Sequence, residues 1–150
     1  MKDVRIRDML PADISSVMEI ELRNYPVPWS ERIFHDCLKA GYKGFVLLQA
    51  DVMVGYAMLQ IGYKESHVLN LSIDAAGQGQ GHARRLLATM EMESIKSDAE
   101  MMFLEVRPSN PRARELYEQN GFNEISVRKN YYDTLTGRED AVVMAKTLVA

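Results

Sequence analysis

Glycines at 77, 79 and 81 alternate through the stretch "SIDAAGQGQGHARRLLATME", residues 72–91, between an apolar run that ends at Asp74 and a periodic segment that opens with Arg84 and Arg85. This spacing suits phosphate chemistry. A helix start leaves backbone N–H groups unpaired and carries a partial positive charge. Glycines let the chain before it turn freely and approach a ligand closely. Both arginines would add charge in the first turn. A mobile surface turn has the same composition, and the glycine pattern alone leaves both readings open. A P-loop would end in Gly-Lys-Ser/Thr, whereas Gly81 is followed by His82 and Ala83. A dinucleotide fingerprint fits Gly77 and Gly79 but meets His82 at its third glycine, and the loop follows four strands instead of opening the first βαβ unit.

A second candidate is Glu105. In "MMFLEV" side chains alternate, so Phe103, Glu105 and Arg107 share the face opposite Met102, Leu104 and Val106. A carboxylate near the C-terminal end of a parallel-type strand sits where α/β sheets bind ligands. It could equally be an ion-pair partner of Arg107 or of a neighbouring strand. Tyr117 shares a helical stripe with Ala113, Leu116 and Asn120, a pattern that fits a core tyrosine as well as a reactive one.

The elements that must position these residues are legible in outline. Val4 and Ile6 alternate with charges as a first strand, and a helix follows from Pro11, with Ile14, Val17, Met18 and Leu22 at helical spacing. Ser30 caps a second helix that Gly41 closes. "GFVLLQA" and "VMVGYAMLQI" read as a hairpin turning at Ala50-Asp51, and "SHVLNLSID" as the fourth strand. A helix over about 83–95 places Leu86, Leu87, Met90 and Ser94 on one stripe. After "MMFLEV", "NPRARELYEQNG" is a helix with Asn110 as N-cap, Pro111 at its first position and Gly121 past its end. Two final strands are joined by a polar loop, "DTLTG". The order β-α-α-β-β-β-α-β-α-β-β implies an α/β fold with a mixed sheet and one parallel region.

The 150 residues suit a single domain, 1–150, with 47% hydrophobic and 26% charged residues, an ordinary globular composition. A net charge of -3 supplies no basic field for a nucleic-acid partner. The single cysteine, Cys37, can form no internal disulfide and suits a reducing compartment. The start, "MKDVRIRDMLPADI", is polar where a signal peptide needs an apolar stretch, and no apolar run approaches the ~18 residues of a membrane span. These features favour a cytoplasmic protein without a membrane partner. His35, His67 and His82 show no mutual ligand spacing, so no metal is expected.

"Gln78-Gly79-Gln80-Gly81-His82-Ala83" resembles the Gln/Arg-x-x-Gly-x-Gly/Ala acetyl-CoA signature of the GCN5-related N-acetyltransferases, the GNAT superfamily. "FLEVRPSNPRARELYEQNGFNEISVRKNYY", "GREDAVVMA" and, near the front, "YPVPWSE" are similar to its ribosomal-protein-alanine N-acetyltransferases, the RimI type. The resemblance spans nearly the whole chain. It implies a mostly antiparallel sheet splayed between strands 4 and 5, flanked by helices, with acetyl-CoA inserted at the splay. It also implies transfer of acetyl to the α-amino group of an N-terminal alanine on a small-subunit ribosomal protein, without an acyl-enzyme.

Residue by residue, the backbone of Leu71, Ser72 and Ile73 matches the segment that binds the pantetheine arm. Gly79, Gln80, Gly81, His82, Ala83 and Arg84 match the pyrophosphate loop, and Asn110 matches a CoA contact. Gly79 stands where relatives often carry arginine, and Ala83 where many have glycine. Glu105 and Tyr117 match the base and the acid. Glu105 would take the ammonium proton, directly or through a water, and Tyr117 would protonate the departing thiolate. An α-amine needs no strong base, since its pKa is ~7.7–8.0 against ~10.4 for lysine.

"Tyr25-Pro26-Val27-Pro28-Trp29" reads either as a substrate wall or as a hydrophobic staple on the helix it precedes. Arg128 to Tyr132 with Arg138 to Asp140 form an opposite rim or a mere exposed hairpin. The rival readings are a GNAT enzyme acting on another terminus, a lysine or a small amine; a non-catalytic CoA-binding module; and an NAD(P)-dependent oxidoreductase.

Overall fold

The computed structural model describes residues 3–148. Seven strands form one sheet in the order β1-β2-β3-β4-β5-β7-β6. β1 (Val4–Asp8), β2 (Lys43–Gln49), β3 (Val52–Ile61) and β4 (Glu65–Ile73) pair antiparallel with one another in succession. Ala50 and Asp51, with φ of 52° and 65°, make the tight two-residue turn whose twist suits a hairpin between β2 and β3. β5 (Met101–Val106) pairs in parallel with β4, and β7 (Gly137–Thr147) lies antiparallel between β5 and β6 (Asn123–Thr134).

The parallel contact is short, running from Glu65 opposite Met101 to Val68 opposite Leu104, and there it ends. The cause lies on the other edge of β4. Met58 pairs with Asn70 while Leu59 pairs with Val68, so Leu69 is an extra, bulged residue. A bulge bends its strand and sharpens the twist. Leu69 to Ile73 thereby diverge from β5 and open the sheet where a ligand can enter.

Alternation along the strands sends apolar side chains to both faces. One face, with Phe45, Leu47, Leu59, Val68, Leu104 and Met144 in its core, is covered by α3 (His82–Lys96) and α4 (Pro111–Gln119). The α3 stripe is Leu86, Leu87, Met90 and Ser94, all buried, and the Ser94 hydroxyl donates to the Met90 carbonyl of its own helix while hydrogen-bonding the Ser66 hydroxyl, each at 2.8 Å. The other face, with Val46, Tyr56 and Met58, is covered by α1 (Ile14–Asn24) and α2 (Glu31–Lys39) only over β1 to β4. On that face, the portion of the sheet around β5 and β7 forms an open groove.

Three details depart from the sequence expectations. Pro11 sits in a separate 3-10 turn, Pro11–Asp13, and α1 proper begins at Ile14. Leu22 is 61% exposed, because the buried stripe of α1 turns through Ile20 and Glu21 instead. The last two strands extend into the polar stretch, leaving only Leu135 and Thr136 between them. Asp133 pairs with Arg138 across this hairpin, a charged cross-strand match that hydrophobic periodicity does not display. No helix among the described residues is long and apolar enough to cross a membrane.

Candidate active site

The splay holds two cavities that meet. The larger, about 440 Å³, is bounded by the end of β4, the glycine loop and the N-terminal turns of α3 and α4. Gly79 and Gly81 both adopt left-handed backbone, with φ of 78° and 79°, which suits glycine. They carry the chain from β4 into α3 with the helix N-terminus at the cavity. The loop is tied down at its start: Arg23 of α1 forks onto the Asp74 carboxylate at 3.2 and 2.9 Å, and Asp74 also accepts the Ala75 N–H at 3.1 Å.

The expected cofactor residues Leu71, Ser72, Ile73, Gly79, Gly81, His82, Ala83, Arg84 and Asn110 all line this cavity. Gln80 does not. Flanked by the two left-handed glycines, its side chain turns outward to accept from Gln49 of β2 at 2.8 Å. Arg85, expected to add charge beside Arg84, braces the loop instead, donating to the Gln80 carbonyl at 2.9 Å and to His82 Nδ1 at 3.1 Å. His82 is 2% exposed, its Nε2 has no partner among the described residues, and burial with Arg85 beside it lowers its pKa, which favours the neutral ring. The Ile73 carbonyl already accepts from Asn24 at 3.0 Å and Gln78 at 3.3 Å. Asn110 reconciles its two roles: Oδ1 caps α4 by accepting the Ala113 N–H at 3.1 Å, which leaves the amide N–H₂ for a ligand.

The second cavity, about 190 Å³, lies on the open groove side, and Glu105, Arg107, Val27, Trp29 and Tyr132 face it. It shares Tyr25, Leu71, Asn110, Ala113 and Tyr117 with the first. Tyr117 is therefore at the junction. It is 8% exposed, packs edge-on against Phe122 at 5.9 Å, and its hydroxyl has no hydrogen-bond partner among the described residues. Burial, and secondarily Tyr25, push the phenol pKa far above its ordinary value, so it keeps its proton.

Glu105 is not paired with Arg107. Its carboxylate lies 2.7 and 2.9 Å from His67 Nε2 on β4, and accepts from the Tyr131 hydroxyl at 3.3 Å. Arg107 instead meets Glu139 at 3.4 Å and stacks over Tyr132 at 4.1 Å. Glu139 also accepts from the Ser109 hydroxyl and N–H at 3.0 and 2.9 Å, bonds that, the hydroxyl's first, hold its carboxyl below the usual range. The β5–α4 loop is thereby clamped to β7. Tyr131 reaches Glu105 because three residues, Lys129 to Tyr131, bulge from β6 against Asp140 alone, with Asn130 left-handed at φ 52°.

Two functional positions escape a reading of the sequence. His67 is a lone histidine whose relation to Glu105 exists only once β4 and β5 pair, with His67 beside Phe103. Glu21 reads as a solvated helix residue but is 2% exposed. It accepts from the Tyr56 hydroxyl at 2.5 Å, the Trp29 N–H at 2.8 Å and Asn70 at 3.2 Å. It thus fastens the Tyr25–Trp29 segment to the sheet. Trp29 serves both expected roles, packing on Phe34 at 5.1 Å while facing the second cavity. Glu21→Ala strands these buried donors, each worth about 1–3 kcal/mol when unpaired, so roughly 2–4 kcal/mol of stability is lost. Urea unfolding checks this, and a loss below about 0.5 kcal/mol means that the carboxylate is dispensable.

Chemically, one cavity offers backbone groups, a helix N-terminus and arginines for a phosphate-bearing donor, and the other a carboxylate for an amine. Among the described residues no group of His, Cys, Asp or Glu is placed to hold a metal ion.

Known proteins resemble this chain in both sequence and fold. The Acetyltransferase (GNAT) family matches residues 14–122. The ribosomal protein bS18-alanine N-acetyltransferase of Escherichia coli (strain K12) is 39% identical over 140 residues, 93% of this chain and 95% of that protein. Its counterpart of the same name from Haemophilus ducreyi (strain 35000HP / ATCC 700724) is 36% identical over 141 residues, covering 93% and 97% of the two chains. The crystal structure of the ribosomal-protein-S18-alanine N-acetyltransferase from Escherichia coli superposes with a TM-score of 0.91 at 36% identity, covering 99% of this chain and 96% of that one. The chain belongs to the GNAT family of acetyltransferases, enzymes that take their acetyl group from acetyl-CoA.

Proposed function

We propose that this enzyme, acting as a single domain over residues 1–150, acetylates the N-terminal α-amino group of a protein, and that its acceptor in the cytoplasm is the alanine terminus of ribosomal protein bS18. The observation that carries the reading is the junction: the donor cavity and the carboxylate-bearing cavity share Tyr117, Asn110 and Leu71 as a common wall. The names of the relatives support the acceptor. So does the second cavity, whose about 190 Å³ between Trp29, Val27 and Tyr132 suits a small first residue.

In this reading Leu71 and Ser72, paired with β3 on one edge but unpaired with β5 on the other, present backbone groups that align the pantetheine arm and orient the thioester. Glu105 accepts one proton from the ammonium, and the free amine attacks the thioester carbonyl. On collapse the C–S bond breaks. The hydroxyl of Tyr117 donates to the sulfur as its charge develops, a contribution of the kind preorganised donors make. Its pKa lies far above the ~8.5 of a thiol, so the phenol returns to its protonated state. The second proton lost by nitrogen on forming the amide balances the one gained by sulfur. His67 fixes the carboxylate without touching the reacting atoms. Cys37 is buried in α2, away from both cavities, and is not needed as a nucleophile.

The test is acetylation of purified bS18 with its own alanine terminus, followed by mass mapping of the acetyl group. Acetyl found on the α-amine supports the reading. Acetyl on internal lysines alone, or transfer only to a small amine such as spermidine, assigns a different acceptor.

A further inference from the structure

Four arginines occupy the first turns of the two helices that flank the donor cavity, and the structure uses only two of them internally. On α3, Arg85 braces the loop through Gln80 and His82. On α4, Arg114 is paired with Glu124 at 2.5 Å. The other two, Arg84 and Arg112, both line the donor cavity, and among the described residues neither is paired with a carboxylate. Among the described residues no Asp or Glu lines that cavity. Arg112 reaches across the mouth from α4 to the glycine loop, donating from Nη1 to Gln78 Oε1 at 3.4 Å, a long and weak contact.

A cation in the first turn opposes the helix dipole, so Arg112 gains nothing for its own helix by standing there. The loop beside it lacks a cation of its own. Gly79 and Gly81 carry no side chains, and nothing lies within 4 Å of where a Gly79 side chain would begin. We infer that Arg112 is a pyrophosphate-binding residue of this enzyme, supplying from α4 the charge that the glycine loop does not. The guanidinium rests on Gln78 in the free enzyme and moves to the phosphate oxygens when acetyl-CoA enters. The fork geometry of arginine suits that bidentate contact. The inference rests on the reading of this cavity as the acetyl-CoA site.

The test compares wild type with Arg112→Gln and Arg112→Lys. Glutamine keeps helix propensity and a polar contact to Gln78 but removes the charge; lysine restores charge without the fork. Binding is measured by calorimetry with acetyl-CoA, and turnover with acetyl-CoA, acetyl-dephospho-CoA and acetyl-pantetheine. For Arg112→Gln, acetyl-CoA binding weakens about 10-fold, the scale of one charge-assisted contact at an exposed site. The preference for both CoA forms over acetyl-pantetheine falls by a similar factor, with Arg112→Lys intermediate.

Unchanged binding overturns the inference, as does an equal loss with acetyl-pantetheine, which marks a structural role. A loss confined to acetyl-CoA and absent with acetyl-dephospho-CoA moves the contact to the 3′-phosphate and also overturns it. Failure of the wild-type enzyme to bind acetyl-CoA at all is a different result, contradicting the cavity assignment instead.

Discussion

Replacing Tyr117 with phenylalanine is expected to lower turnover by about 10²–10³-fold while acetyl-CoA still binds and the protein stays as stable as before. The combination follows from where the hydroxyl sits. The ring fills the core beside Phe122, and phenylalanine retains that packing. The residue lines both cavities and its hydroxyl bonds no other described residue, so its removal breaks no hydrogen bond within the protein. What is lost appears only when charge develops on the departing sulfur. A thermal melt alongside single-turnover kinetics separates the two effects. Turnover within a few-fold of wild type means that another group, or water, serves the sulfur; a large fall in melting temperature means that Tyr117 matters as core.

The second large effect is expected from Glu105→Gln. The amide is nearly isosteric and can still meet His67 and Tyr131, so the fold persists, but it cannot take a proton. Loss of a positioned base typically costs ~10²–10⁴-fold. The pH dependence carries the sharper information. With Glu105 as the proposed base, the wild-type carboxylate is expected to remove the ammonium proton in the complex, so activity extends below the amine's own pKa. In the variant only substrate that is already neutral reacts, and the rising limb of the rate profile moves up towards the free amine value of ~7.7–8.0. A profile that keeps its wild-type position, merely scaled down, assigns the base elsewhere.

How much of this was visible beforehand depended on the range of the interaction. Helices and hairpins announced themselves through local patterns: Ser30 and Asn110 as caps, the Ala50-Asp51 turn, the stripe of α3. The order of elements and the resemblance of the glycine loop carried the mixed, splayed sheet. Glu105 and Tyr117 emerged from the same resemblance together with strand alternation and helical spacing; both line the second cavity, and Tyr117 lines the first as well. What stayed hidden depends on contacts between distant segments. The bulge at Leu69 that opens the sheet is a property of how β4 meets β3. His67 gains its meaning from β5, Glu21 from Tyr56 and Trp29, and Arg112 from Gln78 on the opposite wall. Arg84 and Arg85 are identical in type and adjacent, yet one faces the cavity and the other folds back on the loop, a difference of helical phase that composition does not encode.

The most direct test of α-amine transfer is acetyl-CoA turnover with a short alanine-initiated peptide containing one lysine, set beside the same peptide with its amino terminus blocked. Turnover with the free terminus and none with the blocked one is the expected result, since the proposed base, the carboxylate of the second cavity, suits an amine that is partly neutral at physiological pH. Equal turnover with both peptides places the acetyl group on lysine and contradicts the account.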